Sequence, residues 1–160
     1  MSLAEVSAVL WSERELLELL LFKLEEEQLV LASGRARWLA HATREVEMVI
    51  EQIREAELSR AVTVDALAAE LGLPSSPSLT ALADAVPAPW DDLLRGHREA
   101  FLTLTDEISG MSRSNRELLG QQQRLSRETL LGLDAAASRT YGPRGAAPEP
   151  ARARVIDKAL

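Results

Sequence analysis

Leucine recurs at a strict spacing of seven residues through the first part of the chain. Positions 3, 10, 17, 24 and 31 are leucine, and position 38 is tryptophan. Such a repeat places side chains along one side of an α-helix and is typical of helices that pack against other helices. We expect the charged residues between them on the solvent side: Glu13, Arg14, Glu18, Lys23, Glu25 and Glu26. The pattern predicts a first helix over about residues 2–32.

A glycine interrupts this pattern at position 34, and glycine is the residue that most easily adopts the left-handed turn that ends a helix. The seven-residue spacing restarts at Leu39, Val46 and Ile53, which predicts a second helix over about residues 35–61. A short link between two amphipathic helices favours an antiparallel hairpin. One long helix kinked at Gly34 is the alternative.

The composition changes over residues 63–88, where Pro74, Pro77 and Pro87 interrupt the chain. Two short helical pieces fit within this segment, at residues 65–71 and 78–85. This segment is too rich in leucine for a disordered linker, so we expect a folded crossover. Pro89 suits the first turn of a helix, and a third helix is predicted from there to about residue 133.

The third helix carries a long apolar stripe at alternating spacings of three and four residues. Its members are Trp90, Leu94, His97, Phe101, Leu104, Ile108, Met111, Asn115, Leu118 and Leu125. The low aromatic content of 4% also favours helices over sandwiches or barrels. We therefore predict an all-α fold, an antiparallel three-helix bundle or coiled coil with a short-helix crossover.

The last part of the chain is expected to be a flexible basic tail. Residues 135–160 contain five basic and two acidic residues among alanine, glycine and proline. Their charge of +3, in a chain of net charge −7, leaves −10 on residues 1–134, the expected bundle. An acidic body disfavours binding to nucleic acid and to anionic membranes.

No apolar stretch approaches the ~20 residues that a membrane-spanning helix needs, so we expect no membrane insertion. The absence of cysteine and of a secretory pattern fits a cytoplasmic protein.

Catalysis is not expected. The two histidines, His41 and His97, lack neighbouring partners for acid–base or metal chemistry, because the residues three positions earlier are Trp38 and Leu94 rather than glutamate. Nucleotide-binding, zinc-protease and hydrolase motifs are missing from the sequence. We predict a protein that is not an enzyme and that holds no metal or cofactor. A small helical enzyme would require a polar pocket around His97.

The apolar stripe of the third helix continues past Asn115 with more leucine than the hairpin can cover. An amphipathic strip that outruns its own core is typical of a surface that binds a partner helix. The leucines after Asn115 would alternatively pack on the crossover or on a second copy of the chain. Asn115 itself either marks the end of the core or fixes the register between helices as a buried amide.

Several segments resemble FlgN-type flagellar export chaperones, in particular their actinobacterial members. They are LLELLLFKLEEEQ at residues 16–28, the break at Gly34, RWLA at 37–40, TREVE at 43–47, NRELL at 115–119 and TYGPRG at 140–145. The tail departs from the family in one respect, because Arg144 stands where an acidic residue is usual.

The resemblance implies a chaperone that binds the C-terminal helices of hook-filament junction proteins and delivers them to the flagellar type III export gate. The family's binding region corresponds here to residues 115–133. The implied contact residues are Asn115, Leu118, Leu119, Gln122, Leu125, Thr129, Leu130 and Leu133. Tyr141 corresponds to a tail tyrosine that docks at a membrane protein of the export gate. A structural coiled-coil protein without an export role is the alternative.

Overall fold

The computed structural model of the chain describes residues 2–140. Within them four helices follow one another: α1 (Leu3–Ala32), α2 (Leu39–Leu71), α3 (Leu79–Ala85) and α4 (Trp90–Thr140). A single 3₁₀ turn, Ala36–Trp38, precedes α2. No strand occurs in this described part of the chain. The prediction of an all-α helical bundle is therefore confirmed.

The first helix begins with a side-chain cap and ends just before a glycine. Ser2 Oγ accepts a hydrogen bond from the Glu5 backbone amide at 3.2 Å, and Glu5 Oε2 accepts one from the Ser2 amide at 2.6 Å. This reciprocal pair satisfies two amides that have no partner inside the helix. The helix ends before Gly34, whose φ of +68° is a left-handed conformation that glycine adopts without a steric penalty.

Helices α1 and α2 form an antiparallel hairpin. Lys23 Nζ lies 3.0 Å from Glu45 Oε2, whereas Glu13 Oε2, nearer the start of α1, lies 3.1 Å from Arg60 Nε, nearer the end of α2. The residue numbers of contacting pairs thus run in opposite directions. The alternative of one helix kinked at Gly34 is wrong.

The second helix is longer than predicted. It begins at Leu39 rather than 35 and continues to Leu71 instead of ending near residue 61. No glycine or proline lies between 61 and 71, and Val64 and Leu67 extend the buried stripe by another turn, so nothing stops the helix there. It ends at Gly72, which has a φ of +70°. The crossover is correspondingly shorter than the predicted residues 63–88.

The short helix α3 closes one end of the hairpin. Ser78 caps it by accepting a hydrogen bond from the Ala81 amide at 3.1 Å. A cluster of buried apolar side chains joins all four helices at this end: Val6, Leu10, Val64, Leu67, Leu82, Ala83, Val86 and Leu94. The apolar content of the crossover is thus explained by burial, as expected.

The fourth helix lies beside the hairpin and runs parallel to α1. The Trp11 ring contacts the His97 ring, and Gln28 donates a hydrogen bond to Ser114 Oγ at 2.9 Å, so contacts advance in the same direction on both helices. A second buried cluster comprises Leu20, Leu24, Val46, Val49 and Ile53, and partly buried Ile108 and Met111 of α4 pack against it. The three long helices form the bundle.

The last helix also exceeds its predicted length, because it continues to Thr140 rather than about 133. Residues 135–137 are alanine, the strongest helix former, and no glycine or proline follows until 142. Residues 2–121 form one compact unit, and residues 122–140 belong to a second one. The predicted boundary after residue 134 stays a prediction, and residues 141–160 of the expected tail lie outside the described part.

Candidate protein-binding surface

Burial along the apolar stripe of α4 is high at its start and ends near residue 118. Leu94 and His97 are fully buried, Phe101 and Ile108 are half-buried, and Leu118 is the last half-buried leucine. Gln28 of α1 is level with Ser114, so the remaining residues of α1 end in register with about residue 118. Within the compact unit 2–121, the apolar stripe is therefore packed up to about Leu118.

Asn115 belongs to the interior of the bundle and not to its surface. Its side-chain amide donates hydrogen bonds to the Leu24 carbonyl oxygen at 2.9 Å and to Glu27 Oε1 at 3.0 Å. The residue is only 4% exposed, so a partner has no access to it. The implied contact role of Asn115 is corrected here, and its bonds to α1 fit the alternative of a buried amide that fixes the register between helices.

Two other predicted contact residues, Leu118 and Leu119, lie near the end of the compact unit. Leu118 is half-buried, and Leu119 is 36% exposed. Neither side chain is enclosed. They are the only two leucines of the predicted site in the described unit 2–121.

Residues 122–140 form a helical segment whose large apolar side chains are all exposed to solvent. Leu125 is 63% exposed, Leu130 44%, Leu131 65% and Leu133 61%. Gln122, Leu125, Thr129 and Leu133 are separated by three or four positions, which places them along one side of the helix. Thr129 directs its hydroxyl to the Leu125 carbonyl oxygen at 2.8 Å, so its methyl group remains for apolar contact.

This side of the segment is chemically different from the opposite side. Arg124, Arg127 and Glu128 lie opposite the leucines, together with Leu131 as an exception. Two of these three charges are positive and one is negative, which gives this opposite side a net charge of +1. The surface can recognise another helix through apolar side chains spaced as in a coiled coil.

The imidazole of His97 is packed in the core and has no access to a pocket. Its ring is 4.9 Å from the Trp11 ring and 6.3 Å from the Phe101 ring, centroid to centroid. Neither ring nitrogen has a hydrogen-bond partner, and burial, assisted by the charge of Arg14, lowers the pKa of His97 below its ordinary range. The polar pocket that a small helical enzyme would require around His97 is absent from the described residues.

The second histidine, His41, is exposed and packs its ring beside Trp38 at 5.8 Å. Across residues 2–140 the side chains also assemble no cluster of three or more acidic, histidine or cysteine residues that would suit a metal ion. No helix in that range is long and apolar enough to cross a membrane.

Glu13 was expected on the solvent side of α1 and is instead buried, with 4% exposure. Burial raises the pKa of its carboxyl group, while Arg60 opposes that shift and Glu57 adds to it. Glu13 Oε2 lies 3.1 Å from Arg60 Nε but accepts no well-aligned hydrogen bond. The periodicity of α1 alone does not reveal this pair, because the covering residue comes from α2.

Tyr141, the predicted docking residue for the export gate, lies outside the described residues. Its role remains a prediction.

Comparison with known proteins agrees with the architecture. A family model described as FlgN protein matches residues 1–149, which is nearly the whole chain. No curated protein and no solved structure matches the chain. The family is one of flagellar export chaperones, not of enzymes. With a helical bundle and a family match over almost its entire length, this chain belongs to the FlgN family.

Proposed function

We propose that this chain is a cytoplasmic chaperone that binds the C-terminal helices of hook-filament junction proteins through one side of α4. This side carries Leu125, Leu130 and Leu133, and we call it the leucine side of α4. The observation that carries the proposal is the exposure of Leu125, Leu130 and Leu133, between 44% and 63%, in an ordered helix. Exposed leucines at helical spacing are typical of surfaces that another helix covers. Family membership supplies the export context.

The proposed mechanism is capture of an apolar helix. An unassembled junction subunit presents a C-terminal helix whose apolar side would otherwise drive aggregation or early polymerisation. Leu125, Leu130 and Leu133 cover that side until export. We expect moderate affinity, because the client must be released at the gate and loses conformational freedom on binding.

Delivery to the gate is a separate part of the proposal and involves Tyr141. An aromatic side chain with a polar hydroxyl group suits docking to another protein. If the roles are separate, Tyr141→Ala leaves binding of the junction-protein helix unchanged and lowers export of that protein. A loss of helix binding in this variant would contradict the separation.

A second candidate function rests on the same exposed leucines. A structural coiled-coil protein would cover them with a second copy of itself. Light scattering on the full chain, with and without a synthetic C-terminal helix of a junction protein, separates the two. A chaperone is expected to form a one-to-one complex with the peptide, whereas a scaffold would form an oligomer that the peptide does not change.

A further inference from the structure

Helix α1 carries a second apolar strip on the side that faces solvent. Trp11 is 47% exposed, Phe22 54% and Leu29 71%. The intervals of eleven and seven residues are whole numbers of helical turns to within about 20°, so the three side chains are aligned on one side of the helix. We call this the outer face of α1. Its eighteen-residue span corresponds to roughly 27 Å at about 1.5 Å per residue.

Contacts within the chain cover only part of the surface of this apolar strip. The Trp11 and His97 rings are nearly perpendicular, with their centres 4.9 Å apart, and the Arg14 guanidinium group lies 4.8 Å from the centre of the Trp11 ring. Phe22 is 54% exposed, and the Lys23 ammonium group lies 5.5 Å from the centre of its ring. A single exposed apolar residue is ordinary, but an aligned tryptophan, phenylalanine and leucine resemble the anchor residues of protein interfaces.

The charges beside the strip are mainly negative. Glu15, Glu18 and Glu25 are all exposed on this side of α1. The two cations nearby are already paired, Arg14 with Glu18 at 3.4 Å and Lys23 with Glu26 at 3.1 Å. Glu15 and Glu25 have no ion-pair partner in the described part of the chain. The outer face therefore offers carboxylates to a partner with basic side chains.

A second copy of the chain does not fit this surface well. Antiparallel pairing that places Trp11 opposite Leu29 also places Glu15 opposite Glu25. Parallel pairing places each glutamate beside its own copy. Like charges that face each other across a helix pair weaken it and select against that partner.

We propose that the outer face of α1 is a docking surface for an amphipathic helix of another protein, one with lysine or arginine beside its apolar side. Trp11, Phe22 and Leu29 would contact the apolar side of that helix, and Glu15 and Glu25 would pair with its basic residues. This surface belongs to a different helix from the leucine side of α4, and its residues are not among those proposed to bind a junction protein.

The test uses the full chain and two synthetic helical peptides of about three heptads, with leucine at the core positions. One peptide has lysine at the flanking positions, and the other has glutamate. Calorimetry should show binding of the lysine peptide, and binding of the glutamate peptide should be about tenfold weaker or less.

Three variants locate the binding. Phe22→Asp should weaken binding of the lysine peptide by about tenfold or more, although the added negative charge alone would strengthen that binding. Leu58→Asp changes a leucine of α2 that is 70% exposed, and Leu125→Asp changes the leucine side of α4. Both should keep the affinity of the original chain. Circular dichroism verifies that all three remain helical.

Equal affinity of the original chain and Phe22→Asp for the lysine peptide would overturn the proposal. So would equal affinity for the two peptides, or a concentration-dependent dimer that Phe22→Asp abolishes. Loss of peptide binding in Leu125→Asp alone would assign the peptide to α4 and also overturn it. None of these outcomes depends on whether α4 binds a junction protein.

Discussion

The side-chain amide of Asn115 donates a hydrogen bond to the backbone carbonyl oxygen of Leu24, 2.9 Å away across the interface of α4 and α1. The same amide group reaches Glu27 Oε1 at 3.0 Å. A buried amide with two acceptors on one neighbouring helix fixes how far α4 can slide along α1. It also lies one helical turn before Leu118, the last half-buried leucine of the described part of α4.

Replacing this amide with a carboxylate should destabilise the bundle strongly. Asn115→Asp removes both donors and places a negative charge beside a carbonyl oxygen and Glu27. We expect the free energy of unfolding in urea to fall by about 2 kcal/mol or more. Asn115→Leu, of similar size and without charge, also removes both hydrogen bonds but adds no buried charge, so it should lower the free energy of unfolding by a smaller amount, about 1 kcal/mol. Equal losses in the two variants would show that packing, not polarity, matters at this position.

Acidification should destabilise the chain through His97. The folded state lowers the pKa of His97 below its ordinary value of about 6.5, so the unfolded state binds the proton more readily. The stability that the neutral ring contributes is present above about pH 6.5 and declines below it, by at most about 1.4 kcal/mol per pH unit.

The measurement is urea unfolding across pH 5–8 for His97→Phe, with His41→Phe as the control at an exposed histidine. The slope of unfolding free energy against pH near pH 6 should decrease in His97→Phe and stay unchanged in the control. An unchanged slope in both variants would contradict burial of a neutral imidazole.

The ion pair of Glu13 and Arg60 should respond unequally to loss of its two members. Glu13 is buried and its pKa is raised, whereas the side chain of Arg60 is 35% exposed and stays hydrated. Because the raised pKa favours the protonated form in the folded state, the carboxyl group supports folding below its ordinary pKa. That support is lost as the pH rises through the folded value.

At pH 7, Glu13→Gln should therefore leave the free energy of unfolding unchanged or raise it by up to about 1 kcal/mol, with a smaller difference near pH 4. Arg60→Gln should lower it by about 1 kcal/mol, because the carboxyl group remains buried without its partner, although the solvent exposure of Arg60 limits the loss. Thermal and urea unfolding of the two variants measure these changes in the free energy of unfolding. A larger loss in Glu13→Gln than in Arg60→Gln would refute this reading.

The periodic parts of the chain made most of the fold predictable. The leucine spacing from 3 to 31 and the stripe from Leu94 to Leu118 identified the buried sides of α1 and α4, because a helix that packs on one side must repeat its apolar residues with its turns. The end of α2 was missed because the prolines beyond residue 73 suggested a crossover that begins too early. Buried Val64 and Leu67 instead extend the helix.

The two errors in predicted burial, at Glu13 and at Asn115, have a common physical cause. Burial of Glu13 depends on Arg60 of another helix, and burial of Asn115 depends on a carbonyl group of α1. The periodicity of a single helix therefore predicts neither the burial of Glu13 nor that of Asn115. The exposed leucines were easier to anticipate, because the third long helix was expected to be longer than either arm of the hairpin.

The central claim is that a junction-protein helix covers the leucine side of α4. Calorimetry of the full chain against the synthetic C-terminal helix of a hook-filament junction protein tests it, with Leu125→Asp compared with Leu58→Asp. These leucines are 63% and 70% exposed, so neither substitution should unfold the chain. We predict at least about a hundredfold loss of affinity in Leu125→Asp and none in Leu58→Asp. Equal affinity in the two variants, or no binding by the original chain, would contradict the claim.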